Sequence, residues 1–289
     1  MSNLVNPFAP FEPALAAALD ANVALALAED VGSGDVTGLL VPGDAIVQAR
    51  VIVREVAVLC GAPWFEAVMT QLDARIRIDW RYDEGELMRP DSVVCQIEAP
   101  ARALLTGERS ALNFLQMMSG VASQTRRYVS LVAGTTAGIL DTRKTLPGLR
   151  LAQKYAVRVG GGANQRLALY DGILIKENHI AAAGGVRLAM EKAFALNAGV
   201  TIQIEVESID QLKEALAAGA RSVLLDNFSL EQMREAVALT AGAALLEASG
   251  GINFDTVRAI SETGVDRISI GSLTKDVRAT DYSLRIIAA

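Results

Sequence analysis

Seven cations, Arg143, Lys144, Arg150, Lys154, Arg158, Arg166 and Lys176, stand in a 34-residue window that holds one acid, Asp171. The chain as a whole carries a net charge of −6. A solvated helix face accounts for Lys154 and Arg158. It does not account for Arg143, Lys144 and Lys176, which follow apolar, strand-like runs. Such a focus of positive charge concentrates anions, and arginine grips carboxylate or phosphate with two parallel hydrogen bonds.

Two acids fall into the same pattern. Glu205 and Asp226 end consecutive apolar runs 21 residues apart. Facing a cationic mouth, they could hold sugar hydroxyls, ligate Mg²⁺ through water, or act as an acid/base pair. A glycosidase uses a similar pair, but the anion-binding cluster argues against a neutral sugar. Ser249-Gly250-Gly251 and Gly271-Ser272 end the last two runs, where small residues let backbone N–H groups approach a phosphate. Lys176, after Ile173-Leu174-Ile175, also admits a Schiff-base reading. The single histidine, His179, rules out multi-histidine metal sites. Acid–base work therefore falls to carboxylates and lysines.

The elements that must position these groups alternate regularly from Ile139 onward. Strand-like runs at 139–142, 172–176, 201–206, 222–226, 244–248 and 267–271 are separated by helical patterns near 149–158, 186–196, 209–218, 230–239 and 254–262. Repeated β–α units predict a parallel sheet. Functional groups at the carboxyl end of every strand predict a barrel rather than an open sheet with one switch point. The N-terminal third reads as a smaller α/β (α+β) unit. It has a helix from Pro13 to Gly32 with a Leu15, Leu19, Val23, Leu27 stripe, strands at 45–59, 75–80 and 92–97, and a helix over 63–72. A long helical stretch follows from Ala101. Gly160-Gly161-Gly162 reads as a helix stop. Gly32–Gly38 follows a helix and has the wrong spacing for dinucleotide binding.

Composition narrows the function classes. An acidic chain of 289 residues without a basic tail is a poor candidate for nucleic-acid binding. The longest charge-free stretch is the 16 residues from Ser110 to Thr125, too short to span a membrane. MSNLVNPFAPFEP lacks the pattern of a secretory signal. Cys60 and Cys95 read as reduced core thiols, so a cytoplasmic protein is expected.

The strings GERSALNFLQMMSGVAS (107–123), DTRKTLPGLR (141–150), KYAVRVGGGANQR (154–166), DGILIKENHI (171–180), LLDN (224–227) and EASGGI (247–252) resemble the quinolinate phosphoribosyltransferase family. The resemblance runs from about Glu29 to Ser272. It implies an incomplete TIM-like α/β-barrel (116–275) beside a smaller N-terminal domain (1–115, joined by 276–289). It also implies transfer of phosphoribosyl from phosphoribosyl pyrophosphate to quinolinate with decarboxylation, Mg²⁺ as cofactor, and a homodimer or higher oligomer. By the same resemblance, Arg109 reaches the neighbouring subunit's site. Thr142, Arg143, Lys144, Gln165, Arg166 and Lys176 then contact the quinolinate carboxylates or substrate phosphates, with Lys144, Lys176, Glu205 and Asp226 forming the catalytic set. Glu205 and Asp226 meet the ribose hydroxyls and Mg²⁺-pyrophosphate, and Ser249, Gly250, Gly251, Gly271 and Ser272 cradle the 5-phosphate. Many relatives carry histidine where Gln165 stands; glutamine can position a substrate but cannot carry charge at neutral pH. The alternatives are a related protein associated with molybdenum transport, a Schiff-base barrel lyase using Lys176, and a non-catalytic sensor of phosphorylated metabolites.

Overall fold

Proline lacks the N–H that a helix leaves unpaired in its first turn, so Pro13 opens a helix without loss. That helix is α1 (Pro13–Val31), closed by Gly32 at φ +51°. Its four-residue stripe buries Leu19, Val23 and Leu27 and half-buries Leu15. The structure, a computed structural model, describes residues 3–43 and 45–288, the last by its backbone alone. The first two residues of MSNLVNPFAPFEP, and residues 44 and 289 of the expected N-terminal domain, lie outside the described residues.

The elements that follow are β1 (Ile46–Val53), β2 (Ala57–Val58), α2 (Ala62–Leu72), β3 (Arg77–Trp80), β4 (Leu87–Met88), β5 (Val93–Pro100) and α3 (Ala101–Leu131). One expectation is corrected here: the strand predicted over 45–59 is two strands. After Val53 the chain turns away, and the Glu55 carboxylate accepts a hydrogen bond from the Asp281 N–H at 3.1 Å.

Next come β6 (Gly138–Leu140), α4 (Arg150–Val159), β7 (Gly172–Ile175), α5 (Glu177–Ala183), α6 (Val186–Ala195), β8 (Thr201–Val206), α7 (Ile209–Ala217) and β9 (Ser222–Asp226). The chain continues through α8 (Leu230–Thr240), β10 (Leu245–Ser249), α9 (Val257–Ser261), β11 (Arg267–Ser269), α10 (Ser272–Lys275) and β12 (Tyr282–Ala288). The chain divides into two compact units, one holding residues up to Arg126, Thr145–Gly161 and the segment from Thr274 on, the other Arg127–Lys144 and Gly162–Leu273.

The first unit is built on an antiparallel sheet in the order β12-β1-β5-β3. Alternation along β1 and β5 sends Ala49, Val51, Cys95 and Ile97 into a fully enclosed core. Glu84 is also buried in this unit, only 2% exposed. Gly61 N–H (2.8 Å) and Tyr155 O–H (2.9 Å) donate to Oε1, and Ala62 N–H (3.2 Å) to Oε2, so this carboxyl caps the start of α2. Desolvation outweighs those three hydrogen bonds and pushes its pKa up to about 7. Cys60 and Cys95 are both buried and unbridged, and burial pushes their thiols up.

Helix α4 corrects a second expectation. Lys154, assigned from sequence to a solvated face beside Arg158, is 1% exposed. Seven of the ten α4 residues are buried, so little of the helix faces solvent; Arg158 does. The end of α4 meets α3 closely: a Cβ on Gly160 would lie 2.5 Å from the Ala122 carbonyl oxygen, so only glycine fits.

The second unit holds a parallel six-stranded sheet in the order β6-β11-β10-β9-β8-β7. Each strand falls within a residue or two of its predicted run. On the free side of β6, Ala163 bridges Leu140 in parallel. In a flat sheet, β6 and β8 would be four strands and ~19 Å apart. Yet Gln165 joins them, its backbone N–H donating to Asp141 at the end of β6 (2.8 Å) and its side chain to Gln203 on β8 (2.7 Å). The sheet is therefore curled, with its inner side chains meeting across the curve as in a barrel.

Candidate active site

The inner face of that curve ends in the groups singled out by sequence. After β6, Asp141 is fully buried and accepts from Gln165 N–H and, at 2.7 Å, from the Asn164 amide. This fixes the turn that launches Thr142, Arg143 and Lys144. Thr142 Oγ1 accepts from the Lys144 N–H at 3.1 Å. Lys144 then folds over Gly271: a Cβ there would stand 3.1 Å from Lys144 Cδ and 3.8 Å from its ammonium nitrogen. The ends of β6 and β11 thus share one space.

Arg143 and Arg166 are brought together. Burial, followed by the nearby Arg143 charge, lowers the pKa of Arg166, while Asp171 opposes the shift. Arg166 is steadied by an Nη1 hydrogen bond to the Gly172 carbonyl (2.9 Å). Asp171 also accepts from the Leu167 (2.6 Å) and Ala168 (2.8 Å) N–H groups, tying the loop that follows Arg166. Two half-buried guanidinium groups near enough for their charges to interact are poised for a ligand bearing more than one negative charge.

Lys176 Nζ stands 3.1 Å from Glu205 Oε2 and 3.5 Å from Oε1. Desolvation raises the pKa of Glu205; Lys176 pulls it down, while the charges of Asp226 and Glu177 push it further up. Glu205 and Asp226 therefore face the same space from adjacent strands. Asp226 is held by the Asn227 amide at 2.8 Å. Just before α5, the Lys176 N–H donates to His179 Nδ1 at 3.0 Å, so the sole histidine serves as a helix cap. Neither α5 nor this cap was foreseen.

Ser249 O accepts from the Asn227 N–H at 3.0 Å, which carries the end of β10 against that of β9. Gly250 has φ +105°, and a Cβ on it would lie 2.0 Å from Asn227 Oδ1, so the turn excludes any side chain. Gly251 follows at φ +60°, leaving a run of exposed backbone next to Ser249. Ser272 opens the short α10, one residue after Gly271. Arg109 is exposed on α3, in the other unit.

The sequence reading passed over Asn227, Asn164, Gln203 and Glu247. A signal existed for the last two. In TIQIEV and LLEAS, a polar residue sits two positions before Glu205 and before Ser249, hence on the same strand face.

A curled parallel α/β sheet that turns cations, paired carboxylates and side-chain-free turns toward one mouth defines an α/β-barrel enzyme for a polyanionic substrate. Comparison with known proteins makes that class specific. Residues 35–119 match the family model described as quinolinate phosphoribosyl transferase, N-terminal domain, and residues 121–285 match the model for its C-terminal domain. The chain belongs to the quinolinate phosphoribosyltransferase family. It is 40% identical over 259 residues to a Bacillus subtilis protein named probable nicotinate-nucleotide pyrophosphorylase (carboxylating), covering 89% of this chain and 90% of that one. It is 39% identical over 256 residues to the human protein of that name, covering 86% and 85%. The solved structure of nicotinate-nucleotide pyrophosphorylase from Francisella tularensis superposes with a TM-score of 0.91 at 43% identity, covering 94% of this chain and 96% of that one.

Proposed function

We propose that this chain transfers the phosphoribosyl group of phosphoribosyl pyrophosphate to quinolinate, releasing pyrophosphate and CO₂ and forming nicotinate mononucleotide. The nearness of the Arg143 and Arg166 charges, together with the Lys176–Glu205 contact, carries this reading, and the names of the relatives point to the same reaction. They do not favour the molybdenum-associated relative, the lyase or the sensor.

Arg143, Arg166 and Lys176 bind the quinolinate carboxylates or the substrate phosphates, with Lys144 and Thr142 beside them. Ser249, Gly250, Gly251, Gly271 and Ser272 receive the 5-phosphate through backbone and hydroxyl donors. Glu205 and Asp226 hold the ribose hydroxyls. The pyridine nitrogen attacks C1 of the ribose as the C1–oxygen bond to pyrophosphate breaks. The resulting pyridinium withdraws electrons from C2, whose carboxylate leaves as CO₂, and a solvent proton takes its place. Positioning and fixed charge supply most of this catalysis.

Two neighbouring carboxylates suit Mg²⁺, which takes one or two protein carboxylates and fills its shell with water and phosphate oxygens. Glu205 and Asp226 fit that role. The ion would neutralise the departing pyrophosphate.

Arg109 completes the site of a second copy in a homodimer or larger assembly. Mixing inactive Arg109→Ala and Lys176→Ala subunits is expected to restore activity; verified exchange without recovery contradicts the shared site. Two enclosed thiols and no helix long and apolar enough to cross a membrane among the described residues support a cytoplasmic setting.

Purified protein given quinolinate, phosphoribosyl pyrophosphate and Mg²⁺ is expected to release CO₂ and nicotinate mononucleotide in equal amounts. Folded protein that makes neither overturns the assignment. Arg143→Ala is expected to weaken quinolinate binding at least tenfold, about 1.4 kcal/mol, measured by calorimetry.

A further inference from the structure

One layer beneath the mouth lies a closed circuit of two amides and a carboxylate. Gln203 and Glu247 precede Glu205 and Ser249 by two residues on their strands, so they share the inner face about 6.6 Å deeper. Glu247 is 1% and Gln203 7% exposed. Gln203 Nε2 donates to Glu247 Oε2 (2.9 Å). Gln165 Nε2 donates to Gln203 Oε1 (2.7 Å) and to both Glu247 oxygens (3.3 and 3.5 Å). Gln165 Oε1 accepts the backbone N–H of Arg166 (2.6 Å).

We propose that Gln165 is a positioning residue for Arg166 rather than a ligand of the substrate, and that Glu247 and Gln203 hold it in that role. The proposal deepens the functional reading above and rests on it. Both amide hydrogens of Gln165 point down into the floor, while its oxygen faces the peptide that carries Arg166. An anion in the mouth meets the guanidinium, not this amide. The two amides also satisfy the buried Glu247 carboxylate, which would otherwise be costly to enclose.

The circuit can run backward. With glutamate at 165 and glutamine at 247, a flip of the Gln203 amide restores the circuit with donors and acceptors exchanged, except for the 3.5 Å contact to Glu247 Oε1, and leaves net charge unchanged. Gln165→Glu alone sets two carboxylates against each other. It is expected to weaken binding of quinolinate or phosphoribosyl pyrophosphate at least tenfold, each titrated separately by calorimetry, and to lower the Tm by about 5 °C. The double variant Gln165→Glu/Glu247→Gln is expected to return both affinities to within threefold of wild type and to regain the Tm.

A direct contact between residue 165 and substrate predicts otherwise, because a carboxylate at 165 repels an anion whatever stands at 247. A folded double variant that stays tenfold weak overturns the proposal, as does a single variant that binds like wild type. If Gln165→Glu fails to fold, the double variant alone decides by the same criterion. Wild type that binds neither substrate refutes the functional reading instead. The Tm series then judges the circuit, and an unchanged Tm in the single variant overturns it.

Discussion

Lys176→Ala is expected to lower kcat/KM by roughly a hundred- to a thousandfold, the loss seen when one fixed electrostatic partner of a transition state is removed. The lysine leaves an apolar strand, β7, and reaches Glu205 at 3.1 Å. In the proposed function it acts on the bound anions, and in the structure it acts on a carboxylate that desolvation already pushes up. Removing the ammonium takes away the main influence holding Glu205 down, while Asp226 and Glu177 continue to raise it. The acidic limb of the kcat/KM profile should therefore move to higher pH if Glu205, in its proposed role, must be ionised to hold ribose hydroxyls. A variant that loses activity equally at all pH values would separate the lysine from Glu205.

The second large effect concerns stability. Glu84→Ala leaves the Gly61 N–H, the Ala62 N–H and the Tyr155 hydroxyl without their buried acceptor. Unsatisfied buried donors cost about 1–3 kcal/mol each, so a loss of about 3 kcal/mol is expected at pH 5, read from urea unfolding. The sign of the pH dependence follows from linkage. The carboxyl has a pKa of about 7 in the folded chain against 4.5 for the ordinary group. The folded state therefore keeps a proton that the unfolded state releases, and wild-type stability from this group falls as pH rises through that window. The gap between variant and wild type should narrow by about 2 kcal/mol between pH 5 and pH 8. A gap that widens with pH would mean that the three donors outweigh desolvation.

Much of the catalytic unit is legible in the chain because its signals are local. Apolar runs such as Ile173-Leu174-Ile175 end abruptly in charge, and that junction marks both a strand and its carboxyl end. What escapes is whatever depends on the third dimension. Lys154 has the chemistry of a surface residue, and only the packing around α4 shows that the helix has almost no outer face there. Helix α5 is too short for a periodic pattern, and its cap, His179, looks from composition like a candidate for chemistry. Gln203 and Glu247 lie 44 residues apart on strands that are not adjacent in the sheet. Their hydrogen bond exists only because the sheet curls, and no spacing rule encodes it. Gln165, a substrate ligand by resemblance, turns its amide to these two.

The pairing of β12 with β1 sets an order of events during synthesis. Ile46 leaves the ribosome 236 residues before Tyr282 (282 − 46), yet the two strands are neighbours in one sheet. At roughly 5–20 residues per second, about 10–50 seconds separate them. Through that interval one side of β1 presents unpaired N–H and C=O groups, the kind of edge that recruits foreign strands. The parallel unit, whose segments end at Leu273, can close earlier. Released chains truncated before residue 282 would thus hold a complete parallel sheet and an N-terminal sheet with one edge of β1 unsealed, a state open to aggregation.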